Sequence, residues 1–451
     1  MGLISLIITL AVCVIMTVFV IKKPVLNAGF LKFAKKPLKL ESYYVIALIA
    51  PLALLAVGAL SLSDIAEGIT ADGNINPLKI LLLFFSMCLI SICLDKAGFF
   101  EYCAAKTLKS AAKGQKRLFR NYYFFIALLT VFTSNDIIIL AFTPFICYYC
   151  KSAKISPLPY IAAQFAAANT FSLMLIIGNP TNIYIGASLG ITFFQYIKYM
   201  ALPALAAGCA AYAALRITFR KALNAPVITN DIETAKIKNK PAAAISLAAL
   251  GLCILFMSAS NFINIQMWIV SAVFAAMLCL SLIILKIAGG KKNLYCGVLM
   301  PAVKSLPFGI IPFLLSMFAA VLALNKHGVT AQIAALLPAQ GNIYGQIFGY
   351  GFISAAACNM LNNIPMSVLF TSVINAAGGI SAAAYATIIG SNIGAFLSPA
   401  GALAGIMLLN LIKDKDTGFT SAAFVKYLAP SAVISLAASL GALALCFAVI
   451  G

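Results

Sequence analysis

The stretch LLTVFTSNDIIILAFTPFICYYC fills residues 128–150, and its centre decides how the chain folds. It is apolar except at TSND, 133–136, which interrupts what would otherwise be one membrane-crossing run. A second run, 343–375, is interrupted in the same way by CNMLNN at 358–363. Hydrocarbon offers a polar group no partner, so such interruptions belong where protein or a water-filled cavity surrounds them. Each run is therefore either one long span or a re-entrant hairpin that enters and leaves on the same side.

Composition sets the frame. Of 451 residues, 63% are hydrophobic and 9% charged, with a mean hydropathy of +1.04. Soluble domains carry roughly 25% charged residues, so a water-soluble fold is excluded, as are disordered and collagen-like chains. About 20 residues cross a bilayer as a helix, which makes this an all-α polytopic membrane protein. Further apolar runs lie near 2–21, 43–62, 79–97, 158–187, 193–216, 242–259, 265–287, 304–325, 381–412 and 422–450.

Charge decides between span and hairpin, because cytoplasmic loops carry the Lys/Arg excess. If 121–150 and 343–375 are both hairpins, the inward segments are 22–41, 95–120, 151–157, 216–241, 286–304 and 413–426. They hold 28 of the 31 basic residues, leaving only Lys79, Lys198 and Lys326 towards the outside. If 121–150 crossed once, the six basic residues of 216–241 would move outside. The hairpins win.

Ten transmembrane helices and two re-entrant hairpins follow, arranged as two inverted-topology repeats like those of secondary transporters. The first repeat is expected over 1–217, with its hairpin on the inner side. A hydrophilic cytoplasmic linker, expected to be mobile, runs over 218–241. The second repeat covers 242–451, with its hairpin on the outer side. Both termini are expected outside the cell (inner) membrane. Spacing supports the repeat. Asn169 precedes Gly178 by nine residues in NTFSLMLIIGNPTN, and Asn392 precedes Gly401 by nine in NIGAFLSPAGALA, an offset of 223. The tips Asn135-Asp136 and Asn362-Asn363 are offset by 227.

Pro and Gly in GNPTN (178–182) and SPAG (398–401) break two spans at mid-membrane depth. Proline removes a donor and frees a carbonyl, so an unwound turn can offer carbonyls to a cation. The half-helix that starts there offers N–H groups and a positive dipole end to an anion. Among the acidic residues, Glu41, Asp95, Glu101, Asp231, Glu233, Asp414 and Asp416 fall in inner segments. Asp64, Glu67 and Asp72 fall in an outer loop, which leaves only Asp136 at bilayer depth. An ionisable residue there is expensive and points to function. Its place at the start of the returning half-helix also suits an N-cap, and both roles stay open. Ser134, Asn135, Asn362 and Asn363 are neutral and both donate and accept.

Enzyme and other readings fare badly. His327 is the single histidine, set at an outer span end beside Lys326, and no GxxxxGK[ST] loop exists. No cofactor or metal is expected. The 12 cysteines are scattered, and the Cys147/Cys150 pair is expected to be buried and reduced. The net charge of +20 reflects topology and anionic lipid contacts, not nucleic acid. A passive channel is disfavoured by two unlike tips and the lack of charged rings.

The segments SNDIIILAFTPFI (134–146), NNIPMSVLF (362–370) and GSNIGAFLSPAGALAGIML (390–408) resemble the ion transporter superfamily. Within it they are similar to arsenical-pump (ArsB-type) membrane proteins and their sodium–proton antiporter relatives. More loosely they resemble the dicarboxylate and citrate carriers. The resemblance spans roughly 80–450. It implies a scaffold part and a mobile transport part that holds the hairpins and broken spans. It also implies ion or proton coupling through Asn135 with Gly178 and Asn362 with Gly401, with Na⁺ at Asn135 and Asn362, and with Asp136. Substrate contacts would come from Ser134, Asp136, Thr181, Asn363 and Ser398. The expected function is secondary active transport of a small anion, arsenite- or antimonite-type or a carboxylate, coupled to H⁺ or Na⁺. The alternative is a sodium–proton antiporter without an anionic substrate. A homodimer and a separate ATPase subunit are the protein partners considered.

Overall fold

The computed structural model describes residues 1–23, 25–28, 38–70, 76–108, 114–226, 236–260, 262–288, 297–338, 341–379, 382–413 and 417–450. The centre of the 218–241 linker lies outside the described residues, as do Asp72, Asp231, Glu233, Asp414 and Asp416.

The chain is nearly all helical. Helix α1 (Gly2–Lys22) leads to a two-stranded ribbon of β1 (Val25–Ala28) and β2 (Leu38–Glu41), antiparallel with Val25 opposite Glu41. This short ribbon lies in the segment 22–41, expected as an inner loop. Next come α2 (Ser42–Ala47), α3 (Ile49–Ala56), α4 (Leu62–Thr70), α5 (Pro77–Lys96), α6 (Phe99–Leu108), α7 (Gln115–Phe132) and α8 (Asn135–Ser152). The first broken pair is α9 (Leu158–Phe171) and α10 (Pro180–Ser188), followed by α11 (Phe193–Thr218). Then come α12 (Lys240–Ala259), α13 (Met267–Ala288), α14 (Leu299–Lys304), α15 (Ile310–Lys326) and α16 (Val329–Leu336). The chain ends with α17 (Ile343–Leu361), α18 (Asn363–Ala376), the second broken pair α19 (Ala382–Gly394) and α20 (Leu403–Ile412), and α21 (Ser421–Ile450).

Both interrupted runs fold back on themselves. The rings of Phe125 on α7 and Phe142 on α8 lie 5.7 Å apart, although 17 residues of continuous helix would separate them by about 25 Å. Tyr350 on α17 and Phe370 on α18 have ring centroids 6.4 Å apart, against about 30 Å along a straight helix. TSND and CNMLNN are therefore the tips of helical hairpins.

Six helices among the described residues are long and apolar enough to cross a membrane unaided, or seven if α15 and α16, bent by 80°, count as one. The other expected spans are built from shorter pieces. The run 43–62 kinks at Leu48 and ends at Ala56, and the amphipathic α4 follows it. The segment 95–120, expected as inner loop, contains α6 and the first turn of α7.

Local chemistry starts several of these helices. Asn76 accepts from the Leu78 and Lys79 N–H groups ahead of Pro77, and Thr192 and Gln195 form a capping box on α11. The elements α9 and α19 are buried on every side, so they can be small and apolar all round. By contrast, α12 and α13 expose Leu252, Leu255, Met277 and Ile284, as helices against lipid tails do. The described ends of the linker are tied down. Gln115 Nε2 donates to the Ala225 carbonyl (3.0 Å), the Asn239 N–H donates to the Ala97 carbonyl (3.1 Å), and Lys238 pairs with Glu101 (2.6 Å).

Candidate functional site

The first break is hydrogen-bonded to α19 just ahead of the second break. Helices α9 and α19 stop at Phe171 and Gly394, and α10 and α20 restart at Pro180 and Leu403. The offset of 223 thus holds at both edges of the break. Each break contains one short 3-10 turn, Ile176–Gly178 and Pro399–Gly401. A Cβ at Gly178 would run into the Ser172 backbone carbonyl. One at Gly401 would stand 2.9 Å from both Asn359 Oδ1 and the Gly394 carbonyl. Both glycines are there because another part of the chain passes too close for a side chain.

The first tip holds Ser134, Asn135 and Asp136. Ser134 is the residue before α8 and is buried. Asn135 Nδ2 donates to Asn169 Oδ1 on α9 (3.2 Å), while its own Oδ1 accepts from the Asp136 N–H (2.9 Å). This corrects the capping role considered for Asp136. The helix begins at Asn135, with Ser134 in the N-cap position, so Asp136 lies inside the first turn and lines a cavity. That cavity encloses about 460 Å³ between α5, α8, α15 and α20. Glu41, Asp95 and Lys96 also line it, with Lys96 Nζ 3.5 Å from Asp95. Glu41 and Asp95 were sorted with the inner segments, and only the fold brings them below Asp136.

The second tip is neutral. Asn362 adopts φ +74° and ψ +152°, a strained backbone conformation for a residue with a side chain. Its Nδ2 donates to the Ala400 carbonyl in the second break (3.2 Å). Ser398 donates to Asn359 Oδ1 (2.6 Å), and Asn359 Nδ2 donates to the Gly394 carbonyl (2.9 Å). Asn363 is buried at the start of α18.

The expected pairing of tip with break is thus direct for Asn362, which bonds next to Gly401. It is indirect for Asn135, which reaches Gly178 only through Asn169 and Ser172: Ser172 Oγ donates to the Asn169 carbonyl (3.2 Å). Thr181 donates to Asn179 Oδ1 (3.1 Å) and borders a small void of about 20 Å³ opposite Ser367.

The two halves are joined by amides the sequence reading did not assign. Asn392 Oδ1 accepts from Ser172 Oγ (3.0 Å) and Asn179 Nδ2 (2.8 Å). Asn392 Nδ2 donates to Asn182 Oδ1 (2.6 Å), and Asn182 Nδ2 donates to the Ser172 carbonyl (2.8 Å). All four residues are buried. Polar groups at this depth persist only when paired, and here each half pairs the other. The signal was the crowding of Asn and Ser within NTFSLMLIIGNPTN, but their partners are not local. The Cys147 and Cys150 thiols are buried and unbridged. Among the described residues no group of three metal-ligating side chains occurs.

The arsenical pump membrane protein of Escherichia coli is 26% identical over 352 residues, covering 75% of this chain and 79% of that protein. A putative arsenical pump membrane protein of Bacillus subtilis is 22% identical over 83% of this chain and 88% of its own length. The YdaH transporter of Alcanivorax borkumensis shares the fold with a TM-score of 0.57 at 11% identity, over 99% of this chain and 98% of that one. The sequence profile of the citrate transporter family, CitMHS, matches residues 42–390, more than three quarters of the chain. With that match and a site built from two helical hairpins and two broken helices, the chain belongs to the citrate transporter family of membrane transporters.

Proposed function

We propose that the protein is a secondary active transporter that moves a small anion in exchange for, or together with, H⁺ or Na⁺. One observation carries this reading: the first tip and first break join Asn392 of the other half in a buried amide network, the second tip is bonded to the second break, and Asp136 lines a cavity. The tips and breaks offer carbonyls and amides to a desolvated ion, and Asp136 supplies a group that takes up or releases a proton. In this reading Asn135 with Gly178 and Asn362 with Gly401 hold the coupling ion. Ser134, Thr181, Asn363 and Ser398 contact the solute. The two halves span the bilayer in opposite orientations, with both termini outside. The relatives' names suggest arsenite and citrate as the first solutes to try.

The test is flux in proteoliposomes. Labelled citrate and arsenite are offered under an imposed pH gradient, an imposed sodium gradient, and neither. Either gradient should drive accumulation of at least one solute. Equal flux in all three conditions refutes coupling. A sodium–proton antiporter is the second reading, favoured by the three carboxylates and one lysine on the cavity beneath Asp136, and ²²Na⁺ flux without either anion identifies it. The orientation is tested by labelling engineered cysteines at 151–157, which should react only from the cytoplasmic face.

A further inference from the structure

Two cavities flank α20, and they differ in charge. The one beneath Asp136 sets Glu41, Asp95 and Asp136 against Lys96. The other encloses about 480 Å³ and is bordered by Lys22 at the end of α1, Lys413 just past α20, Asn410, Thr417 and Thr420. It reaches up to Pro399 in the second break. No carboxylate stands among its described lining residues. Helix α21 starts at its wall, where Thr420 Oγ1 accepts from the Ala423 N–H (3.2 Å), so the positive end of a 30-residue helix adds to the two lysines.

The helical period of α20 accounts for the arrangement. Leu403, Ile406, Met407 and Asn410 form a stripe on the acidic cavity, and Ile406, Leu409, Asn410 and Lys413 form the adjoining stripe on the basic one. Ile406 and Asn410 border both, as does Val20 of α1. Among the described residues, α20 separates a chamber lined by three carboxylates and one lysine from a chamber lined by two lysines, each ending on a different part of the candidate site.

We propose that these chambers are separate access routes sorted by charge. The acidic one admits the coupling cation or proton to Asp136. The basic one admits an ionised small anion, of carboxylate class, to the second break at Ser398–Gly401. This deepens the transporter reading and rests on it. Low-dielectric walls lined by one sign of charge concentrate the opposite ion by roughly 10- to 1,000-fold. A solute uncharged at neutral pH, such as arsenous acid, gains nothing from such a chamber. Asp414 and Asp416 follow Lys413 in the chain and lie outside the described residues, so a reagent that senses the net field is the direct probe.

Single cysteines at Thr420→Cys and Leu140→Cys report the basic and the acidic chamber. Each is labelled with methanethiosulfonate reagents of similar size bearing a sulfonate or a quaternary ammonium. Rates are read peptide by peptide in mass spectra, so that native thiols do not interfere. The sulfonate should react faster at Thr420→Cys by on the order of tenfold, and the preference should reverse at Leu140→Cys. Lys22→Gln with Lys413→Gln should cancel the preference at position 420 only, and arginine at both lysines should keep it. Equal rates with both reagents at Thr420→Cys, or a preference that survives loss of the lysines, overturns the sorting.

In proteoliposomes the double glutamine variant should raise KM for citrate several-fold from this face with kcat retained, and leave arsenite unmoved. An unchanged citrate KM removes the anion route. If the unaltered protein ignores every gradient, the transporter reading fails, while the labelling rates still judge the charge sorting on their own.

Discussion

The two hairpin-and-break units share their spacing but not their wiring. Asn169 and Asn392 stand at equivalent positions, yet Asn169 bonds within its own half, to Asn135 and the Phe165 carbonyl. Asn392 crosses to Ser172, Asn179 and Asn182 in the other half. The first tip carries a carboxylate on a cavity, whereas the second is neutral and strapped to its own break through Asn359 and Asn362. The two units therefore differ in what their polar groups do. Asn392 bonds across to the other half, Asn169 holds a tip, and only the first tip carries a carboxylate.

The sharpest way to break this contrast is to remove the two asparagines separately. Asn392→Leu orphans the Asn179 amide and the Asn182 carbonyl and leaves the Ser172 hydroxyl only the Asn169 carbonyl. Hydrogen bonds between membrane helices average only ~0.6 kcal/mol, but each buried group left without a partner costs about 1–3 kcal/mol. The loss should reach ~3 kcal/mol or more and abolish transport. Asn169→Leu orphans mainly Asn135 Nδ2 and should cost about 1–2 kcal/mol. Thermal melts in detergent give the ranking, and equal losses would mean that crossing between halves brings no special stability.

Next in size is the pair of glycines. An added methyl at Gly178 meets Ser172 backbone atoms, which cannot swing away, whereas at Gly401 one of the neighbours is the Asn359 side chain. Gly178→Ala should cost about 2 kcal/mol, within the range for overpacking, and Gly401→Ala measurably less. The same melts decide it.

Smaller on stability but decisive for function is Asp136→Asn. The chain should fold with an unchanged melting temperature, because Asn135 rather than Asp136 serves the start of α8. Proton-driven flux should fall at least tenfold, which corresponds to about 1.4 kcal/mol. Full retention of pH-driven flux would make the two tips functionally alike.

The hairpins were legible because a polar tip inside an apolar run has few places to go, and Phe125 lies against Phe142 and Tyr350 against Phe370. The breaks were legible in outline, since Pro and Gly mark them locally, but α9 and α19 already stop at Phe171 and Gly394, ahead of the motifs. What stayed hidden depends on tertiary contact. Nothing in the sequence tells which Asn faces which, so the exclusive reach of Asn392 could not be foreseen from its likeness to Asn169. The helices α4, α6 and α16 are short and were lost among loops. A cap stayed open for Asp136 because sequence leaves a helix start uncertain by a residue or two, whereas α8 starts at Asn135 and sets Asp136 in its first turn on a cavity. Glu41 and Asp95 were counted for topology, while their place below Asp136 needed the packing of β2 and α5 against α8.

The smallest effect lies at the surface. Lys96 and Lys326 end the helices α5 and α15. Lys96 lies 3.5 Å from its neighbour Asp95, but Lys326 reaches Asp64 on α4 at 2.6 Å. Only the second ties one element to another. Hydrogen bonds from Lys326 and from Ser61 hold the Asp64 carboxyl down at about 2, below its unfolded value of about 3.9. A depressed carboxyl stabilises the fold above the unfolded value, and that contribution fades as pH falls from about 4 towards 2. Exposed pairs are weak, so Lys326→Gln should lower the melting temperature slightly at pH 7 and not at all near pH 2. Lys96→Gln should leave the position of α4 untouched at either pH. Hydrogen exchange over residues 62–70 separates the two variants: faster exchange at pH 7 with Lys326→Gln alone supports the tether, and equal exchange in both removes it.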